Sequence, residues 1–185
     1  MNPTKQRYTG TAIGLLWLMA LLLAALFCAG LYMHDLPLSP WKLKVYSWHK
    51  WAGVTAFLLL LVRLAWRATH RPPQLPATIS RAMQRAAHAG HALIYVLMAA
   101  IPLTGWLMSS AKGFQTVYFG VLPIPDLLAK DKALGETLQQ VHYALALLLA
   151  AVVAGHAAAA LKHHLVDKDG VLRSMLPRAL ARRTA

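Results

Sequence analysis

Acidic side chains are nearly missing from this chain. Six Asp and Glu stand against 19 Lys and Arg, and charged residues fill only 14% of the 185 positions. None of the acidic residues falls within the long apolar runs, so the carboxylates that intramembrane proton relays use are absent there. Cysteine is as scarce. Cys28 stands alone, which excludes an internal disulfide, and no Cys-x-x-Cys-His is present for covalent haem attachment. Low-complexity tracts and internal repeats are missing too.

Apolar residues are plentiful, at 58% of the chain against roughly 45–50% in soluble domains. They gather into four uncharged runs separated by short basic or proline-containing connections, whereas soluble bundles show polar stripes at every third or fourth position. The runs predict spans at about 11–33, 50–68, 90–110 and 140–161, each near the ~20 residues needed to cross a bilayer. The length suits a single transmembrane domain over residues 1–185. The predicted class is therefore an all-α integral membrane bundle of four antiparallel helices, with lipid as its first partner. The first run is too long for the 7–15-residue core of a signal peptide, so it is read as a retained helix. Arg63, near the end of the second run, is placed to snorkel to the interface. The tryptophans sit mostly near run ends, as an aromatic belt does.

A net charge of +13 could point to nucleic acid, but its distribution fits membrane orientation instead. Lys and Arg concentrate at the N-terminus, the second connection and the tail, with fewer in the first and third connections, which puts both termini in the cytoplasm. The connection from His70 to Pro76 is stiffened by prolines. The longest connection, 111–136, holds Gly120, Pro123 and Pro125 and predicts an ordered cap or interfacial segment. Small residues in AGHAAAA, 154–160, read as close helix packing.

Histidines are the unusual content. In HYALALLLAAVVAGH, His142 and His156 bracket an apolar run; fourteen steps of helix cover ~21 Å and end ~40° short of four full turns, so both rings lie on nearly one face. With the orientation above, His142 and His49 share the outer depth on two different helices. His156, His88 and His91 lie near the inner depth. His34 falls in the first connection, and His70, His163 and His164 at helix ends or connections. Two facing imidazoles can occupy both axial positions of a haem iron, which suits low-spin electron transfer. Zinc fits less well, because Cys and carboxylate ligands are not clustered. LKHHLVDKDG, 161–170, reads as a solvated helix end.

These residues resemble the bacterial cytochrome b561 family of four-helix, di-haem membrane proteins. The likeness rests on Trp48-His49-Lys50 opening the second span, with Val62-Arg63-Leu64 and Trp66-Arg67 closing it. AAHAGHALIY and IPLTGWLMSS in the third span, and His142, His156 and AAAALKHHLVDKD in the fourth, complete it. The resemblance implies that His49 and His142 are the axial pair of an outer haem b and that His156 is one ligand of an inner haem. The family's other inner ligand is a histidine directly before a tryptophan in the first helix; here Leu16 precedes Trp17. Leucine cannot coordinate iron. Three arrangements follow: a five-coordinate haem on His156, recruitment of His88, His91 or Met19, or no inner haem. His88 or His91 could otherwise contact propionates, as could Lys50 and Arg63.

By the same resemblance the protein carries electrons in the bacterial inner membrane, from a periplasmic reductant or partner redox protein to ubiquinone. Some relatives of this kind oxidise superoxide. Lys42, Lys44, Lys50 and Lys112 would form a positive approach to the outer haem. A relay cytochrome b subunit of a larger dehydrogenase or reductase is the alternative, followed by a haem-free transporter or assembly factor.

Overall fold

The computed structural model describes residues 7–70, 72–73, 80–168 and 171–176. Lys5, Arg71, Arg178, Arg182 and Arg183, which contribute to the charge asymmetry, lie outside them. Four long helices dominate: α1 (Gly10–Asp35), α2 (Pro40–Thr69), α3 (Arg81–Ala111) and α4 (Lys132–Lys162). A hairpin of β1 (Val117–Tyr118) and β2 (Leu122–Pro123) separates α3 from α4, and a short α5 (Val171–Met175) follows a π-helical turn at His163–Asp167.

Each long helix starts where a polar side chain satisfies a free backbone N–H. Thr9, Ser39, Ser80 and Asp131 accept from the amides of Ala12, Lys42, Met83 and Leu134. Pro40, directly after Ser39, has no N–H to leave unpaired. These caps explain why the helices outrun the predicted spans. The first run matches α1, but α2, α3 and α4 begin at 40, 81 and 132 rather than 50, 90 and 140. Helices of 26 to 31 residues extend ~39–47 Å, beyond a hydrocarbon core of ~30 Å. His34, expected in a connection, therefore closes α1.

Neighbouring helices run antiparallel. A methyl group added at Gly30 would touch the His49 ring, and Arg63 Nη1 reaches the Ala12 carbonyl at 3.5 Å. Likewise Gly105 lies against His142, and His91 against His156. Direct packing joins α1 to α2, α2 to α3 and α3 to α4. Buried side chains are few, because the outer surface is apolar and all four helices are long and apolar enough to cross a membrane. Leu18, Leu21, Leu61, Val62 and Leu148 are exposed, which suits lipid contact. The core is a band of Met19, Leu60, Leu97, Met98 and Leu149.

At one end the hairpin lies along α2. Trp51 Nε1 donates to the Val117 carbonyl at 2.7 Å, and the hydroxyls of Thr55 and Tyr118 pair at 2.9 Å. Phe119 (φ 51°) and Gly120 (φ 74°) make the left-handed turn. At the other end the first and last described segments meet. Arg7 donates to the Leu176 carbonyl at 2.7 Å, and Trp17 Nε1 to that of Met175 at 3.0 Å. AGHAAAA does not pack closely as expected: Ala154, Gly155 and Ala157 to Ala159 are exposed. α1 and α4 are not closely packed, so Ala154, Ala157 and Ala160 border the cavity instead of a neighbouring helix.

Candidate functional site

A cavity of about 1660 Å³ runs between the four helices, from Lys42 and Lys112 near the hairpin end to Arg67 and Met175 near the termini. Sites for one small molecule hold roughly 300–1,000 Å³, so this space is larger than one such site needs. His49, His142, His91 and His156 all line it, as do Lys50 and Arg63.

Near the hairpin end, His49 and His142 face each other with ring centres 6.4 Å apart and planes at 75°. Imidazoles bound on opposite sides of one metal, each through a bond of ~2.0 Å, have ring centres ~6.3 Å apart. The pair therefore has the separation that one metal ion held between the two rings would need. His142 Nδ1 donates to the Ile101 carbonyl at 2.9 Å, with Thr104 Oγ1 at 3.3 Å. A carbonyl only accepts, so Nδ1 holds the proton and Nε2 keeps its lone pair for a metal. His49 Nδ1 is buried without a partner among the described residues, a cost of ~1–3 kcal/mol unless a bound group relieves it.

Two glycines give these rings room. A methyl at Gly105 would sit 3.1 Å from His142 Cε1, and one at Gly30 would sit 3.5 Å from His49 Cε1. Among the described residues no three His, Cys, Asp or Glu side chains converge. A metal between His49 and His142 must therefore bring further ligands with it, as a haem macrocycle does. The residues present fit that group.

Fourteen residues further along each helix, Leu16, Arg63, His91 and His156 occupy the other end of the cavity. His91 and His156 stand edge to face, with ring centres only 5.0 Å apart at 65°. His156 is exposed, and His91 half-buried. Arg63 Nε donates to the Tyr95 hydroxyl at 3.0 Å, and Arg67 lies over the same ring. Tyr8 lines this end too; burial pushes its phenol up, against the pull of Arg67 and Arg63, and keeps it neutral. His88 is not brought to the cavity. It is exposed, and its Nδ1 donates to the Gln84 carbonyl at 2.7 Å. Met19 lines the cavity from within the core band, at 3% exposure.

The lysines near the hairpin are engaged by neutral groups. Lys50 Nζ donates to the Phe114 carbonyl at 2.8 Å and Lys42 to that of Leu36 at 2.5 Å. Lys112 donates to Gln139, and Lys44 lies over the Trp48 ring. His163 and Lys162 both pair with Asp167, so 161–168 is a helix end tied by its own charges, and Asp169 and Gly170 lie outside the described residues. Sequence reasoning missed the surroundings of the rings: Ile101, Thr104, Gly30 and Gly105. The signal was available, because a step of fourteen residues forward from His91 on α3 and Leu16 on α1, matching the step back from His156 to His142 on α4, lands on both glycines.

Residues 7–178 match the prokaryotic cytochrome b561 family. The chain is 33% identical to cytochrome b561 homolog 2 of Escherichia coli K12, over 94% of this chain and 93% of that one. It is 29% identical to a probable superoxide oxidase CybB of Yersinia pestis, over 94% and 97%. Cytochrome b561 homolog 1 of the same Escherichia coli strain is also 29% identical, over 93% and 98%. With its four membrane-length helices, the chain belongs to the prokaryotic cytochrome b561 family and is a multi-pass bacterial membrane cytochrome of the b type that transfers electrons.

Proposed function

We propose that His49 and His142 are the axial ligands of a haem b, and that the protein passes electrons from superoxide to ubiquinone in the inner membrane. The observation that carries this reading is the 6.4 Å ring spacing, with His142 Nδ1 tied back to Ile101. Haem held there supplies a one-electron iron couple, tuned by its two imidazoles, by burial and by nearby charge. The Ile101 carbonyl holds the His142 ring in one tautomer, and Gly105 lets it approach α3. Lys50, beside His49 in the cavity wall, is the cation for a propionate at this end, and Arg63 is the cation at the other.

By charge distribution the hairpin end faces the periplasm and both termini face the cytoplasm. Lys42, Lys44, Lys50 and Lys112 then ring the periplasmic mouth. Their partners are mostly carbonyls and amides, which leave the positive charge in place to attract an anion. The similarity to a probable superoxide oxidase supports superoxide as that anion. The reaction balances: two superoxide ions yield two dioxygen molecules and two electrons, and ubiquinone takes both electrons with two protons to become ubiquinol.

The test uses the purified protein in vesicles containing ubiquinone, with an enzymatic superoxide source. Quinol should form only when superoxide and the protein are both present. Replacing Lys42, Lys44 and Lys50 with glutamine should slow it by roughly tenfold at low salt and flatten its salt dependence. A haem that dithionite reduces and superoxide does not would overturn this donor and favour the relay-subunit reading.

A further inference from the structure

The two ends of the cavity are built on one plan. Gly30, His49, Gly105 and His142 form the periplasmic layer, and each has a counterpart fourteen residues along its own helix: Leu16, Arg63, His91 and His156. Fourteen residues are close to four full turns, so each counterpart presents nearly the same face of its helix.

In the first layer the ring across from His142 is on α2, at His49. The α3 position, Gly105, lies beside the His142 ring, where a methyl group would be 3.1 Å away. In the second layer the α2 position holds Arg63, tied to the Tyr95 hydroxyl and the Ala12 carbonyl and a permanently charged donor with no lone pair for iron. Leu16, the counterpart of Gly30, has no donor atom either. His91 takes the place of Gly105, beside His156. Its ring centre is 5.0 Å from that of His156, too near for two bonds on opposite sides of one metal, which require ~6.3 Å. The helices carrying them are directly packed neighbours, leaving no slot between. Met19 borders the cavity, but its side chain is packed into the core band at 3% exposure. Space beside His156 is nevertheless generous: it is exposed, and Ala154, Ala157 and Ala160 line the cavity around it.

We infer that His156 holds a second haem from one side only, that His91 braces its ring edge-on, and that the opposite coordination position, on the side of Leu16, binds a small diatomic ligand. This rests on the reading of the protein as a haem b cytochrome. His91 is a positioning residue in it.

The test measures haem per chain, the spin state of the ferric protein and carbon monoxide binding to the reduced protein, in detergent or lipid. The wild-type protein should carry two haems, one low-spin and one high-spin, and bind one carbon monoxide per chain. Leu16→His should convert the high-spin haem to low-spin and abolish that binding; His91→Ala should keep both the high-spin signal and the binding. One haem per chain, or two low-spin haems that refuse carbon monoxide, would overturn the inference. So would high-spin character that arises only in His91→Ala. Failure of the periplasmic-site reading shows separately, as a low-spin signal that survives His49→Ala.

Discussion

The two ends of the bundle share a plan and differ in their chemistry. At the hairpin end, imidazoles stand across the cavity from each other with a glycine beside each ring. At the termini end the same four places hold Leu16, Arg63, His91 and His156, so two histidines stand side by side. A count of histidines would rate the two ends equal. What separates them is whether the rings oppose each other, which is decided by the helix that carries each one. The core band between the layers, from Met19 to Leu149, keeps the ends apart and gives each its own surroundings.

Exchanging that chemistry is the strongest way to break the contrast. Arg63→His gives α2 an imidazole at the place that His49 holds in the other layer. Spin-state spectroscopy should show the high-spin haem converted almost wholly to low-spin. A high-spin signal left unchanged would mean that the layers do not correspond. The band between the ends can be loosened next. Leu60 is 1% exposed, and Leu60→Ala should cost about 2–5 kcal/mol by leaving a cavity. Thermal release of haem would read this, with both ends affected.

Glycine substitutions sharpen the comparison within one layer. Gly105→Ala forces a methyl to within 3.1 Å of His142, and such overpacking costs ~1–3 kcal/mol. It should also shift the midpoint potential of the low-spin haem. Gly30→Ala, with ordinary contact at 3.5 Å, should change neither quantity by a comparable amount. Equal effects would deny that α3 presses on the His142 ring. The smallest effect belongs to a helix start. Asp131→Ala removes the cap of α4 and should cost ~1 kcal/mol in thermal stability, without altering the haem spectrum.

Much of this was legible in the chain itself. Apolar runs located all four spans because lipid contact is recorded directly in hydropathy. The true helix starts were not, since a capped helix continues into water where hydropathy no longer reports it; Ser39-Pro40 and Asp131 mark those starts. The pairing of His49 with His142 followed from depth on antiparallel helices. The choice between His88 and His91 did not, because both lie near one depth and only packing against α4 tells which enters the cavity. The packing expected of AGHAAAA was misread, since small residues serve equally to admit a helix or to line a cavity. The hairpin was hidden because Val121 and Leu122 are exposed apolar residues, without the alternation that marks a half-buried strand.

The facing pair at the hairpin end is the centre of the account, and the low-spin ferric haem signal of His49→Ala and His142→Ala, each against wild type, tests it most directly. The account predicts that either substitution removes that signal while the protein remains folded in the membrane. A low-spin signal that persists in both would contradict it.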